Sequence, residues 1–260
     1  MATITGNSRL REQRLQELLI NRLTQKYERQ IGREIGRAMS DGATAVRQGR
    51  IDPAEAIRAE HERRMTAILE SLWMESATQM AEHMLGSERS WYGLIEQKNV
   101  GVAISATVVI DRIMTDWMGQ VGGIKIKQVT ATTVLNVRQI VNAGINEGLS
   151  ERDIAAQIAA VAPTKSASRA QTIARTETHS ASTFAAQSSA EATGLTLVKV
   201  WVSARGERTR PDHDEADGQR RALNEPFIVG GEPLMYPGDP IGSPEQVINC
   251  RCVAAYEMAD

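Results

Sequence analysis

Two cysteines, Cys250 and Cys252, stand one residue apart in "INCRC", and the 260-residue chain has no others. A thiolate is a soft metal ligand and a nucleophile, and imidazole is a common companion in both roles. His213 lies upstream in a segment dense in Arg and Asp. With the cysteines it gives three zinc ligands, leaving Asp212 or His179 to complete a tetrahedral set, and C-x-C is not the usual paired zinc spacing. The cofactor expectation is therefore none, with zinc the metal this ligand set admits. A Cys–His nucleophile with His213 as base lacks an orienting group at a diagnostic spacing. A disulfide within C-x-C strains the reachable Cα separation of an extended strand. The remaining reading is structural. Residues two apart in a strand share a face, so both thiols pack as small apolar groups. Arg251, on the other face, then pairs with a carboxylate of the Asp-rich segment, and "INCRC" is a fold-closing strand.

Glu177 poses a second question. On a helix, Ala170, Ala174, Ala181 and Phe184 fall within about 60° of it, whereas Arg175 and His179 fall opposite. A carboxylate on an apolar stripe needs a partner, and a structural ion pair with an arginine of the loop outranks a general acid or base. Glu177, Arg208, Arg210, Asp212 and His213 together could form an acid–base and anion-binding cluster of the kind a nuclease or transferase uses. No P-loop, dinucleotide fingerprint or HExxH motif is present. The expectation is a non-enzyme.

These residues sit on a mainly helical frame. Aromatic residues make up only 4% of the chain, and the charged residues nearly balance at a net −2. Ala, Leu, Ile and Met must fill the core, which suits packed helices, and the whole chain is not a basic nucleic-acid binder. The opening residues carry no apolar signal region and there is no disulfide framework, so synthesis in a reducing cytoplasm is expected. The run "VGVAISATVVI" is too short to span a bilayer, so no membrane segment is expected.

A first helix is expected from Ser8 to about Gln48. Its apolar stripe, Leu15, Leu19, Leu23, Tyr27, Ile31, Ile35 and Met39, recurs every four residues and so winds around the axis. Gly32 and Gly36 would admit a close neighbour. Arg9, Arg11, Arg14, Arg22, Lys26, Arg29, Arg33 and Arg37 outnumber Glu12, Glu17, Glu28 and Glu34 by eight to four. That surplus is a solvated face first, and a surface for DNA phosphate or a protein partner second. "DPAE" at Asp52–Glu55 caps a second helix reaching Gly86, with Ile57, Ile68, Leu69, Leu72, Trp73, Met80 and Met84 on its apolar side. A third covers about Val100 to Gln120, and "GQVGG" ends it. The domain boundary is placed there: 1–124 a helical N-terminal region, 125–260 a second domain.

In the second half, helix follows "IKIKQVTAT", "SERD" caps a short helix that Pro163 ends, and a long alanine-rich helix runs from about Ser166 to Ala192 with Gly194 as its stop. "LTLVKVWV" reads as a strand ending near Trp201. The segment from Ser203 to Gly242 is rich in Gly, Pro, Asp and Arg, yet Phe227, Ile228, Leu234, Met235 and Tyr236 can anchor it. "QVINCRCVAAYEM" is again strand-like. The fold class is mainly α, with long N-terminal helices and a small α+β C-terminal domain.

Four pieces in this order, "IARTETHSAS", "KVWVSARGERTRPDHDEADGQ", "EPFIVGGEPLMYPGDP" and "VINCRC", resemble the phage Mu F-like head morphogenesis family of minor capsid proteins. The matching positions are Arg175, Thr176, Glu177, Trp201, Arg208, Thr209, Arg210, His213, Gly218, Phe227, Pro237, Gly238, Asp239, Pro240, Asn249, Cys250, Arg251 and Cys252. Gly206 stands where the family usually has an acidic residue, and Glu207, Asp212 or Asp214 would have to compensate. The resemblance implies a minor structural protein of a tailed-phage virion head, near the portal vertex. Its partners would be the portal protein and other head proteins, with packaged double-stranded DNA as a further contact. Its roles would lie in head assembly, DNA packaging or early DNA ejection.

Overall fold

The computed structural model describes residues 6–86 and 106–259. The expected helix start near Val100 lies outside them. The chain is mainly helical, with a small antiparallel sheet near its C-terminus. Helix α1 is Gly6–Arg47, the short α2 is Pro53–Ala56, α3 is Arg58–Gly86 and α4 is Ala106–Trp117. Helices α5, Gly123–Asn146, and α6, Glu151–Ala192, follow. Strand β1, Leu197–Val202, precedes a helical turn α7, Pro211–Glu215, and the short strands β2, Arg220–Ala222, β3, Phe227–Val229, and β4, Glu232–Leu234. A second turn, α8, Pro244–Val247, leads into β5, Val253–Met258.

Several sequence signals become these elements directly. The Asp52 carboxylate accepts the Glu55 N–H at 2.9 Å, and Pro53 opens α2. Ser150 accepts the Asp153 N–H at 3.2 Å at the start of α6. Other expectations fail. "GQVGG" does not end a helix: Met118–Gly122 forms a π-helical turn running straight into α5. "IKIKQVTAT" belongs to α5, because Ile126, Thr130, Val134, Val137 and Val141 are buried at three- and four-residue steps. That periodicity outweighs local β-propensity. Pro163 lies inside α6. It lacks an N–H for the Ala159 carbonyl, but both residues are exposed, so water can solvate the freed oxygen. The α1 stripe starts later than its sequence suggests. Leu15 is 40% exposed, and Gln13, Gln16 and Ile20 take the inward positions before Leu23.

The described residues fall into two compact units. One takes Thr24–Ser71 and Met118–Ala174. Its helices meet closely: a Cβ added at Gly32 would lie 3.3 Å from the Ala170 Cβ, and one at Gly36 would lie 3.9 Å from the Ser166 hydroxyl. Both pairs are four residues apart, so matching ridges meet one turn after the next. Buried Glu34 joins His61 and Arg64, each at 3.0 Å.

The other unit takes residues 6–23, 72–86, 106–117 and 175–259. Its three-stranded sheet has the order β2-β1-β5, antiparallel throughout. Val200 pairs with Ala255 and Val202 with Val253, and these four form a buried cluster. Lys199 and Trp201, on the opposite face of β1, are also fully buried. A β3–β4 hairpin completes the unit, with Phe227 opposite Leu234.

Candidate functional site

Within this unit, the part of α6 from Thr176 to Ala190 is buried almost all round. It is unusual for carrying Thr, His, Ser and Gln inward. Thr176 accepts the Asn249 N–H at 3.1 Å, and Ser180 donates to the Gly238 carbonyl at 2.9 Å. Thr183 donates to the Pro237 carbonyl at 2.7 Å, and Gln187 to the Leu223 carbonyl at 2.8 Å. The positions 176, 180, 183 and 187 form one stripe along the helix. Each satisfies a backbone group of the irregular C-terminal segment, which could otherwise not be buried. Sequence reasoning named Thr176 and missed the other three.

His179 continues this pattern, with Nε2 at 2.7 Å from the Cys252 carbonyl. Burial pushes its pKa down to about 4, so the ring is neutral at pH 7. Gly238 holds φ near 78°, and any Cβ there would lie 2.5 Å from His179 Nδ1. Next to it, Asp239 is 2% exposed and accepts the N–H groups of Met235 and Ile241, at 2.8 and 3.1 Å. That turn fixes the backbone which α6 grips.

The cysteines do not lie in a strand. α8 ends at Val247, Asn249 adopts a left-handed φ of 58°, and the Cys250 N–H donates to the Val247 carbonyl. Pro244 starts a helical turn, and Asn tolerates the left-handed exit from it. β5 therefore begins only at Val253. The shared facing expected of a strand is nevertheless achieved by this turn. Both thiols are free and buried, and both approach His213 Nδ1, Cys252 Sγ at 3.4 Å and Cys250 Sγ at 3.7 Å. The Cys252 hydrogen bond lowers the Cys250 pKa against burial, whereas the same contact and burial raise that of Cys252.

His213 is presented by α7 and is 2% exposed. Its Nε2 lies 3.0 Å from Gln246 Oε1, and Gln246 Nε2 lies 3.1 Å from the Asp212 carboxylate. The amide nitrogen must donate to Asp212, so its oxygen accepts from His213 Nε2 and leaves a lone pair on Nδ1. Trp201 stands edge-on to His213 and also to Phe227, at centroid distances of 5.6 and 5.3 Å.

The remaining positions of the resemblance differ in their surroundings. Glu177 accepts the Trp73 indole N–H at 3.0 Å, so an α3 side chain answers the buried carboxylate. Gly218 donates its N–H to the Trp201 carbonyl, closing the turn before β2. Arg175 is half-buried, Arg208 is exposed, and Arg210 donates to the Ile248 carbonyl. Arg251 is exposed and forms no ion pair among the described residues, so the expected pairing with the Asp-rich segment is absent. Asp214 and Asp217 instead hold Ser203, and Asp217 also pairs with Arg205 at 2.7 Å. At Gly206, the N–H donates to Thr209, making a turn that needs no carboxylate.

Of the basic α1 residues, Arg9 joins Glu257, which Arg220 also reaches. Arg11, Arg14 and Arg22 are exposed in the same unit. Arg37 is exposed in the other unit, where Lys26, Arg29 and Arg33 line an open groove of about 700 Å³ with Gly32 and Ser166. No described helix is long and apolar enough to cross a membrane. Residues 135–255 match the family model described as Phage Mu protein F like protein. No curated protein and no solved structure matches the chain.

Proposed function

We propose, from the match of residues 135–255 to the family model of Mu F-like phage proteins, that this chain is a minor structural component of a tailed-phage head, stationed at the portal vertex. It acts there in head assembly, DNA packaging or early DNA ejection, with the portal protein and other head proteins as partners. The observation that carries this reading is how the family residues are used. Thr176, Glu177, His213, Asp239 and both cysteines are buried, and each is tied to backbone or to another side chain. A rigid, internally satisfied knob suits an assembly component.

The rival enzyme cluster fits the geometry less well. Glu177 is engaged by Trp73 and His213 by Gln246 and Cys252, while Arg208 points to solvent. A general base must reach its substrate's proton, and here both candidate bases are at most 5% exposed. The exposed cations of α1 support a contact with packaged DNA or an acidic partner surface.

Mass spectrometry of purified precursor and mature heads tests the main reading. The chain should be present in few copies, and purified portal protein should retain it. Absence from both head forms would refute the proposal. Nucleic acid cleaved by the purified chain, with loss on His213→Ala, would replace it by the enzyme reading. For the α1 surface, duplex DNA affinity that falls steeply with salt, and falls further with Arg29→Glu and Arg33→Glu, marks a phosphate contact. Salt-independent binding, or none, assigns that face to protein.

A further inference from the structure

We propose that His213, Cys250 and Cys252 bind one zinc ion, which clamps α7 to the turn preceding β5. The three ligand atoms all lie within 4.8 Å of one another, and all three residues are buried. With Zn–S near 2.3 Å and Zn–N near 2.05 Å, a tetrahedral centre sets its nitrogen about 3.6 Å from each sulfur. The chain holds these separations at 3.4 and 3.7 Å. Both nitrogen–sulfur edges of a zinc tetrahedron are thus already in place, and closing the sulfur pair, now within 4.8 Å, onto the ion completes the third.

The tautomer is also set for a metal. A ligating histidine commonly donates its second N–H to an oriented acceptor. Gln246 is that acceptor, and Asp212 fixes the amide's direction. Asp212 thus serves one step behind the ligand. His179 turns Nε2 to the Cys252 carbonyl and Nδ1 to Gly238, which leaves it out of the ligand set. Water supplies the fourth vertex, the arrangement of sites with three protein ligands.

Burial separates this reading from the alternatives. A nucleophilic thiol has to meet a substrate, yet Cys250 and Cys252 are 2% and 1% exposed. Two apolar thiols would pack without an imidazole and a Gln–Asp relay beside them. Two thiolates, one neutral imidazole and a divalent ion carry no net charge together, which removes the large cost of burying unbalanced ions. Binding releases two thiol protons to solvent, and no redox partner is needed. The clamp joins residues 39 positions apart, closing the whole irregular loop.

The test uses the full chain, stripped of metal under reducing conditions and titrated with Co²⁺. The expected result is about one equivalent bound, with the visible bands of tetrahedral cobalt and a thiolate-to-cobalt charge-transfer band, all bleached by added Zn²⁺. Cys250→Ser should weaken the charge-transfer band. Gln246→Ala, which keeps every ligand, should lower cobalt affinity by about 10- to 100-fold, while Arg208→Ala should leave it unchanged. The proposal is overturned if the wild-type chain, folded by circular dichroism, gives no charge-transfer band. It is equally overturned if Cys250→Ser/Cys252→Ser binds cobalt with the wild-type spectrum.

Discussion

Lys199 gives the sharpest stability prediction. It sits at the middle of β1, the central strand, and is completely buried. Its Nζ donates to the Leu223 carbonyl at 3.0 Å and to the Met235 carbonyl at 2.7 Å, and lies 5.2 Å from the Phe227 ring centroid. Two carbonyls and a ring face replace a full hydration shell incompletely. Burial therefore lowers the pKa to about 8, although the charges of Glu191, Asp239 and Glu225 oppose the shift. In the unfolded chain the group titrates near 10.4. Between these values the unfolded state binds the extra proton, so stability rises with pH. That difference corresponds to about 3 kcal/mol. Urea unfolding, followed by tryptophan fluorescence from pH 7 to 10.5 in reductant, should be run on the wild type and on Lys199→Met. The wild-type-minus-variant difference should climb by about 3 kcal/mol across this window, with most of the rise above pH 8. Taking the difference cancels the titration of Tyr236 and Tyr256, whose pKa values burial raises well above the ordinary range. Parallel curves would show that Lys199 keeps its unfolded pKa, and would refute this account of the buried ammonium.

Three further outcomes are expected. Trp73→Phe keeps the ring's bulk but removes the donor to Glu177, and should cost about 2–3 kcal/mol in urea unfolding; a change under 0.5 kcal/mol would mean that the carboxylate is satisfied without the indole. Gly238→Ala drives a methyl group into His179 at a left-handed position and should lower stability by about 2 kcal/mol or more, with a lower Tm; an unchanged Tm would contradict the tight seat drawn for His179. For Glu257, burial disfavours the charge, but hydrogen bonds from Arg9 and Arg220 outweigh it and hold the pKa below the usual range. Its stabilisation is thus present above the unfolded pKa and lost as pH falls through the lowered one. Arg9→Ala should flatten the acid limb of the stability profile, and an unaltered limb would show that Arg9 contributes nothing to it.

Local signals read from the sequence proved dependable where a few atoms decide the outcome. Asp52 and Ser150 cap the helices they precede, and Gly194 follows the end of α6. β1 forms where β-branched residues and Trp201 alternate in "LTLVKVWV". The failures share a cause in tertiary context. Pro163 and the "IKIK" run carry local preferences against helix, and packing of the adjoining turns overrides both. At Leu15, helix periodicity alone could not show that Gln13 and Gln16 would turn inward to reach the carbonyls of Ser203 and Ala254. "INCRC" reads as a strand because its composition suits one. Only the positive φ of Asn249 reveals the turn.

The deeper miss is the polar stripe of α6. Thr176, Ser180, Thr183 and Gln187 have the spacing of a core face and the chemistry of a solvated one, so hydrophobicity alone assigns them outward. Their burial follows from what the next segment lacks. The chain from Ser203 to Gly242 has few ladder partners of its own, and its carbonyls cannot be buried without donors. A purely apolar helix there would leave the oxygens of Pro237 and Gly238 unpaired, at about 1–3 kcal/mol each, and that of Leu223 with Lys199 alone. Short hydroxyl and amide side chains at 180, 183 and 187 supply those donors, while the small residues between them let the loop approach. The Ser/Thr-rich helix and the Gly/Pro-rich segment are thus two halves of one requirement. Replacing either alone should unfold the other, whereas no such coupling is expected if the helix polar groups face water.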